Sequence, residues 1–158
     1  MPAPAPVGIR AASAADLDAI DRLETAVFTG DRMSRRSLRR LLRRPSAVTL
    51  VAVAGRHIVG YAMLLFRRGS RVARLYSIAR VPDASGRGIG EVLLAAAERN
   101  AAERRAVEMR LEVRPDNDRA RALYERSGYA VFGCTADYYE DHSDALRMRK
   151  SLSGTGGA

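Results

Sequence analysis

The sequence predicts an α/β fold on a mixed, mostly antiparallel sheet flanked by helices, and three features point to it. Three β-branched or apolar runs, Val48 to Val53, Ile58 to Phe66 and Val72 to Val81, follow one another with only short turns between them, the pattern of an antiparallel meander. After Pro82 the apolar spacing changes from alternation to a helical repeat, then returns to alternation at Val107 to Val113. A strand, helix, strand order of this kind sets its two strands parallel with a right-handed crossover. A length of 158 residues fits one domain, expected over 7–152, with short disordered tails at 1–6 and 153–158.

Each element has its own signal. Val7 to Ala11 reads as a first strand, and Ser13 then offers an N-cap, with the Asp16 carboxylate placed like the acid of a capping box. Leu17, Ile20, Leu23, Val27 and Phe28 recur at helical spacing, Asp16, Asp18, Asp21 and Glu24 fill the other side, and Gly30 ends the pattern. A second helix starts at Ser34, sets Leu38, Leu41 and Leu42 on one face, and stops before Pro45. Its other face is nearly all arginine: Arg35, Arg36, Arg39, Arg40, Arg43 and Arg44. Such a face is either solvated surface or the border of a groove for acidic acceptors or ribosomal surfaces. Ala54-Gly55-Arg56-His57 reads as a hairpin turn. Ile89, Val92, Leu93, Ala96 and Ala97 mark a third helix reaching Arg105. In the strand that follows, Val107, Met109, Leu111 and Val113 face one way and Glu108, Arg110, Glu112 and Arg114 the other. Asn117 can cap a fourth helix from Asp118 to Ser127, closed by Gly128, and strands at Tyr129 to Phe132 and Ala145 to Leu152 complete the sheet.

Composition excludes several classes. With 47% hydrophobic and 28% charged residues the bulk of the chain folds. The longest apolar run, Ala47 to Ala54, is broken by Thr49 and falls far short of the roughly 20 residues that cross a bilayer. The opening Met-Pro-Ala-Pro-Ala-Pro has neither a basic nor an apolar signal region, and the lone Cys134 cannot form an internal disulfide, so a cytoplasmic location is expected. One cysteine and two histidines, His57 and His142, are too few for a zinc site. A net charge of +9 raises the question of nucleic acid, but the basic residues, all arginine except Lys150, are spread over every element without interleaved aromatics.

The chemistry concentrates in two stretches. Ser85-Gly86-Arg87-Gly88-Ile89-Gly90 lies between a strand and a helix, where glycines allow close approach and unpaired N–H groups bind phosphate. A tight turn without a ligand is the plainer reading of the same residues. No Gly-Lys-Ser/Thr follows, so the loop is not a Walker A motif, and its spacing does not fit a dinucleotide fingerprint. The second stretch is Leu111-Glu112-Val113-Arg114-Pro115-Asp116-Asn117, followed by Leu123-Tyr124-Glu125-Arg126-Ser127-Gly128-Tyr129. Gly-Arg-Gly-Ile-Gly, Leu-Glu-Val-Arg-x-x-Asn and Ala-Leu-Tyr-Glu-x-x-Gly-Tyr, in this order, resemble the GNAT superfamily of acyl-CoA-dependent N-acetyltransferases, nearest its RimI-like ribosomal-protein alanine N-acetyltransferases. Tyr138-Tyr139 and Asp144 to Met148 resemble that branch too.

The resemblance implies a central parallel strand pair that splays apart to admit the pantetheine arm of acetyl-CoA. It implies phosphates held by Ser85, Gly86, Arg87, Gly88, Ile89 and Gly90, pantetheine amides paired by Ile78, Ala79 and Arg80, an oxyanion met by N–H near Ile78, and Asn117 beside the cofactor. Ser85 stands where the family usually has Gln or Arg, which implies a weaker hold on the phosphates, and Phe28 to Asp31 lack the family's Pro-Trp. An amine must lose a proton to attack a thioester, and the departing thiolate must gain one. Glu112 is the candidate base and Tyr124 the candidate acid, in agreement with the roles the RimI-like branch gives these positions. Plainer readings pair Glu112 with Arg110 or Arg114 and bury Tyr124 as a core aromatic. Tyr138 and Tyr139 are either acceptor-binding residues or packing, and Cys134 is read as an inert thiol. The expected function is acetyl transfer from acetyl-CoA to an amine, first a protein N-terminal α-amine, with a lysine side chain or a small-molecule amine as alternatives, by a monomer or homodimer without metal. A basic nucleic-acid-binding module and a non-catalytic CoA-sensing domain are the alternatives of another class.

Overall fold

The structure is a computed structural model and describes residues 6–28, 30–81 and 88–152. Alternation along the strands sorts apolar side chains onto both faces of a single sheet, and helices cover each face. Seven strands, β1 (Val7–Ala11), β2 (Ala47–Ala54), β3 (His57–Leu65), β4 (Val72–Arg80), β5 (Glu108–Val113), β6 (Ala130–Thr135) and β7 (Ala145–Ser151), lie in the order β1-β2-β3-β4-β5-β7-β6. β4 and β5 are parallel, and the remaining neighbours are antiparallel. The meander and the crossover expected from the sequence are therefore both present, and β6 extends past Phe132 to Thr135.

Four α-helices, α1 (Leu17–Val27), α2 (Arg35–Arg43), α3 (Ile89–Glu103) and α4 (Asp118–Arg126), accompany a short 3-10 turn at Ala14–Asp16. α3 packs on the face formed by Leu50, Ala52, Leu64 and Leu75, while α1 and α2 cover Val51, Tyr61, Met63 and Ala79 on the other. Burial from both sides explains why β2 and β3 read as nearly continuous apolar runs rather than as alternating ones. Gly60 on β3 allows this closeness, since a Cβ there would stand 2.9 Å from Leu93 Cδ1 and 3.0 Å from the Ala79 carbonyl.

The caps expected at Ser13 and Asn117 are present, the first through the Asp16 carboxylate, and Ser34 caps α2 as well. The Ser13 N–H donates to Asp16 Oδ2 at 2.8 Å, the Ser34 hydroxyl accepts from the Ser37 N–H at 3.1 Å, and Asn117 Oδ1 accepts from the Ala120 N–H at 3.2 Å. Arg10 of β1 adds two bonds to the same Asp16 carboxylate, at 2.8 and 2.9 Å, and holds its pKa down at about 2. Glu24 departs from expectation: it is not on the polar side of α1 but 1% exposed, bonded to Tyr61 of β3 and to Met33 in the segment before α2. No helix among the described residues is long and apolar enough to cross a membrane.

Candidate active site

β4 and β5 run side by side only from Val72 and Glu108 to Leu75 and Leu111, although β4 continues to Arg80 and β5 to Val113. A β-bulge on the other edge of β4 marks the parting. Met63 of β3 pairs with Ser77 and Leu64 with Leu75, which leaves Tyr76 as the extra residue. A bulge bends its strand and increases the local twist, so the far half of β4 leaves β5. A cleft of about 1230 Å³ opens there, lined by Tyr76, Ser77 and Ile78 of β4, Glu112 and Val113 of β5 and Tyr124 of α4. The segment joining α1 to α2 and the loop joining β6 to β7 form its rim.

The parting frees backbone as well as space. The Val81 N–H donates to the Val59 carbonyl at 2.9 Å, and residues turned to the partner alternate along an antiparallel pair. Ala79 thus bonds toward β3, while Ile78 and Arg80 turn their N–H and C=O to the side that β5 has vacated. Ile78 lines the cleft. Ala79, expected beside the cofactor, packs instead among the side chains under α1 and α2 at 4% exposure.

Of the glycine-rich loop, Ser85, Gly86 and Arg87 lie outside the described residues. Gly88 caps α3 with φ of +65°, a left-handed conformation that favours glycine. Gly90 has a packing reason, because a Cβ there would meet Leu123 Cδ2 at 3.2 Å and push α4 from α3. Ile89 points into the core. The N–H groups of the first turn of α3 have no acceptor within the helix, and with its dipole they form an end suited to an anion. Asn117 lines the cleft with its amide nitrogen unbonded among the described residues, its carbonyl being spent on the α4 cap.

Glu112 and Tyr124 share the cleft. The Glu112 side chain is 14% exposed and pairs with Arg74, Oε1 to Nη2 at 2.7 Å, and the same Nη2 donates to the Tyr138 hydroxyl at 2.6 Å. This corrects the partners expected from the sequence: Arg110 is held by Glu108, and Arg114 by Asp31 and Asp141. The Tyr124 ring is buried edge-on against Tyr129, with centroids 5.9 Å apart. Its hydroxyl makes no hydrogen bond among the described residues. Burial, with a smaller contribution from Tyr139, pushes its pKa well above the ordinary tyrosine value, so it holds its proton at neutral pH.

The rim is tied together by contacts between residues far apart in the sequence. Arg114, just past β5, bonds Asp31 at 2.6 Å and Asp141 at 2.9 Å and lies over the Tyr139 ring at 4.2 Å. The Glu140 N–H donates to Asp31 Oδ1 at 2.7 Å, so Asp31, at φ +56°, joins the two rim segments. Arg114 holds the Asp141 carboxyl down at about 2. Tyr138 and Tyr139 pack edge-to-face at 4.8 Å, and burial pushes the Tyr139 hydroxyl up to about 12. Beneath them, buried Glu24 accepts from the Tyr61 hydroxyl and, at 2.7 Å, from the Met33 N–H, while Tyr61 also bonds Ser77 at 2.9 Å. Burial raises the Glu24 pKa. A signal for Glu24 existed in the sequence: it falls on the same helical stripe as Leu17 and Ile20. Asp31 and Arg74 had none, because their partners lie far away along the chain.

Comparison with known proteins agrees with this geometry. Residues 16–129 match the model of the acetyltransferase (GNAT) family. The N-alpha-acetyltransferase RimI of Mycobacterium tuberculosis is 35% identical over 149 residues, 92% of either chain. A Bacillus subtilis protein named, by inference, a [ribosomal protein bS18]-alanine N-acetyltransferase is 31% identical over 134 residues, 84% of this chain and 87% of that one. The crystal structure of the ribosomal-protein-S18-alanine N-acetyltransferase from Escherichia coli shares the fold, with a TM-score of 0.83 over 95% of this chain and 96% of that one at 24% identity. Splayed strands, matched family and RimI-named relatives together make this chain a member of the GNAT family, an N-acetyltransferase of RimI-like type.

Proposed function

We propose that the chain transfers the acetyl group of acetyl-CoA to the N-terminal α-amine of a protein, by direct attack while both substrates are bound. The observation that carries this reading is one cleft, opened by the parting of β4 and β5, that brings Glu112 and the Tyr124 hydroxyl to a common space beside unpaired backbone of β4. The vacated edge of β4 suits an extended amide chain: Ile78 and Arg80 can exchange hydrogen bonds with pantetheine as a further strand would. The α3 N-terminus suits the pyrophosphate. Its loop residues Ser85, Gly86 and Arg87, together with Gly88, Ile89 and Gly90, are assigned to it by the motif.

The chemistry follows from the groups present. The acceptor arrives as an ammonium, and Glu112, directly or through water, takes a proton from it. The freed amine attacks the thioester carbonyl, and the N–H of Ile78 is placed to bond the oxyanion that forms. Collapse of that intermediate breaks the carbon–sulfur bond, and Tyr124, which holds its proton at neutral pH, donates it to the leaving thiolate. The phenolate so formed takes the second proton from the nitrogen, which leaves a neutral amide and restores Tyr124. Arg74 holds the Glu112 side chain in place, and its shared bond with Tyr138 couples the base to the acceptor rim. Tyr138 and Tyr139 are assigned to the acceptor.

A peptide carrying both a free N-terminus and an internal lysine tests the acceptor. Incubation with acetyl-CoA followed by fragment mass spectrometry should place one acetyl group on the α-amine. Acetylation of the lysine alone, or of a peptide with a blocked N-terminus, would overturn the assignment.

A further inference from the structure

Between Asp31 and Asp83 the sequence contains thirteen arginines and not one acidic residue. Most of these arginines are on turns or outer surfaces, but four of them line the cleft: Arg74 on β4, and Arg32, Arg40 and Arg44 on another wall. Arg32 lies in the segment before α2, and Arg40 and Arg44 lie one helical turn apart with Ser37 and Leu41 on the stripe of α2 and its C-cap that lines the site. All three are exposed. Arg32 donates to the Thr25 hydroxyl and Arg44 to that of Ser46, and none of the ion pairs among the described residues involves Arg32, Arg40 or Arg44. The other cleft arginines differ, since Arg74 is neutralised by Glu112 and Arg114 by Asp31 and Asp141.

The position of this wall decides which substrate it meets. α3, whose N-terminus suits the phosphates of the donor, packs on one face of the sheet, and α2 packs on the opposite face. Glu112 projects on the α2 face as well, because Leu111 and Val113 beside it point into the α3-side core. Arg32, Arg40 and Arg44 therefore border the route by which the amine reaches its base, away from the donor's phosphates.

We infer that this wall selects its acceptor by charge: the preferred N-terminus is followed, within its first few residues, by aspartate or glutamate. The inference rests on the N-terminal reading above and names the class of protein that reading left open. Guanidinium groups without a carboxylate partner bind acidic side chains through charge-assisted, often bidentate bonds. Facing basic residues they repel, and the acceptor's own positive end is kept at Glu112. Near-surface charge pairs of this kind change encounter and selection more than fold stability.

The test uses three peptides with the same first residue and with acidic, neutral or basic side chains at the second to fifth positions. On the wild-type protein kcat/KM should be higher for the acidic than for the basic peptide by about tenfold or more at low salt, and the gap should shrink as salt shortens the Debye length below about 8 Å. The double variant R40E/R44E should reverse the order. The double variant R56E/R68E changes net charge equally on two exposed turns outside the cleft, and it should keep the acidic preference. Equal rates for the three peptides, a basic preference, or the same loss of selectivity in both double variants would overturn the inference while leaving N-terminal acetylation intact. Acetylation of none of the three would instead overturn the N-terminal reading and this inference with it. If wild-type protein shows no peptide preference but a single-stranded RNA inhibits it through Arg40 and Arg44, the wall serves a polyanion and the peptide inference is wrong.

Discussion

The first half of β4 and its second half belong to one strand and behave as two materials. From Val72 to Leu75 it is paired with β5, at Arg74 and Leu75 with β3 as well, and Ala73 and Leu75 are buried in the core with Met109 and Leu111 of β5. From Tyr76 onward it keeps β3 but loses β5, and Tyr76, Ser77 and Ile78 line a cleft instead. One unpaired residue separates the two conditions. The contrast teaches that the site is made by interrupting a ladder: the hydrogen-bonding groups that a sheet would consume are left for substrates.

Deleting Tyr76 attacks this contrast most directly. Leu75 would then join Ser77 with the alternation of faces kept, β4 would pair regularly, and β5 could follow it further. Turnover should drop to background while circular dichroism still shows a folded protein; full activity in the deletion variant would show that the bulge does not make the site. Glu112→Gln comes next, with kcat expected to fall by about 100-fold or more at neutral pH, since general base catalysis commonly contributes 10²–10⁴-fold. Tyr124→Phe should cost less, about tenfold, because solvent can supply the thiolate's proton at the open cleft. Its buried ring packs equally well without the hydroxyl, so thermal stability should hold.

Two changes sharpen the contrast from the structural side. Gly60→Ala pushes a methyl group against Leu93 and the Ala79 carbonyl, and overpacking of this kind destabilises by about 1–3 kcal/mol. Denaturant unfolding should show that loss, and an unchanged midpoint would mean that β3 and α3 pack more loosely than described. Asp16→Asn removes the partner of Arg10 at the far end of the sheet. The Asp16 pKa is lowered to about 2, so its contribution is complete above the unfolded value near 3.8 and is lost as pH falls through about 2. The variant should lose about 1–2 kcal/mol at pH 7, Arg10 being half exposed to solvent, and show a shallower loss of stability between pH 4 and 2 than the wild type.

The ladder is what the residues announce most clearly. Alternation, the hairpin turn at Gly55, the caps at Ser13 and Asn117, the helix start at Ser34 and the crossover through α3 are local signals, and each has its counterpart in the structure. The interruption is nearly silent. Nothing local in Leu75-Tyr76-Ser77 distinguishes a bulge from a regular strand, since the extra residue exists only relative to β3. The pairing of Glu112 with Arg74 depends on the register of a parallel pair whose strands are separated by a whole helix, whereas Arg110 and Arg114 stand closer in sequence and are engaged elsewhere. Glu24 was legible by helical spacing but not by residue type, because a carboxylate on an apolar stripe is explained only by Tyr61 and Met33, which come later in the chain.

The measurement closest to the central claim is an initial-rate study in which acetyl-CoA and a free N-terminal peptide are varied together. On the proposed assignment, with the donor along the freed edge of β4 and Glu112 as the acceptor's base, both substrates are bound before acetyl moves. Double-reciprocal lines should therefore intersect, with no acetyl group found on the protein itself. Parallel lines, with acetylated protein recovered when the peptide is withheld, would contradict direct transfer at the parting of β4 and β5.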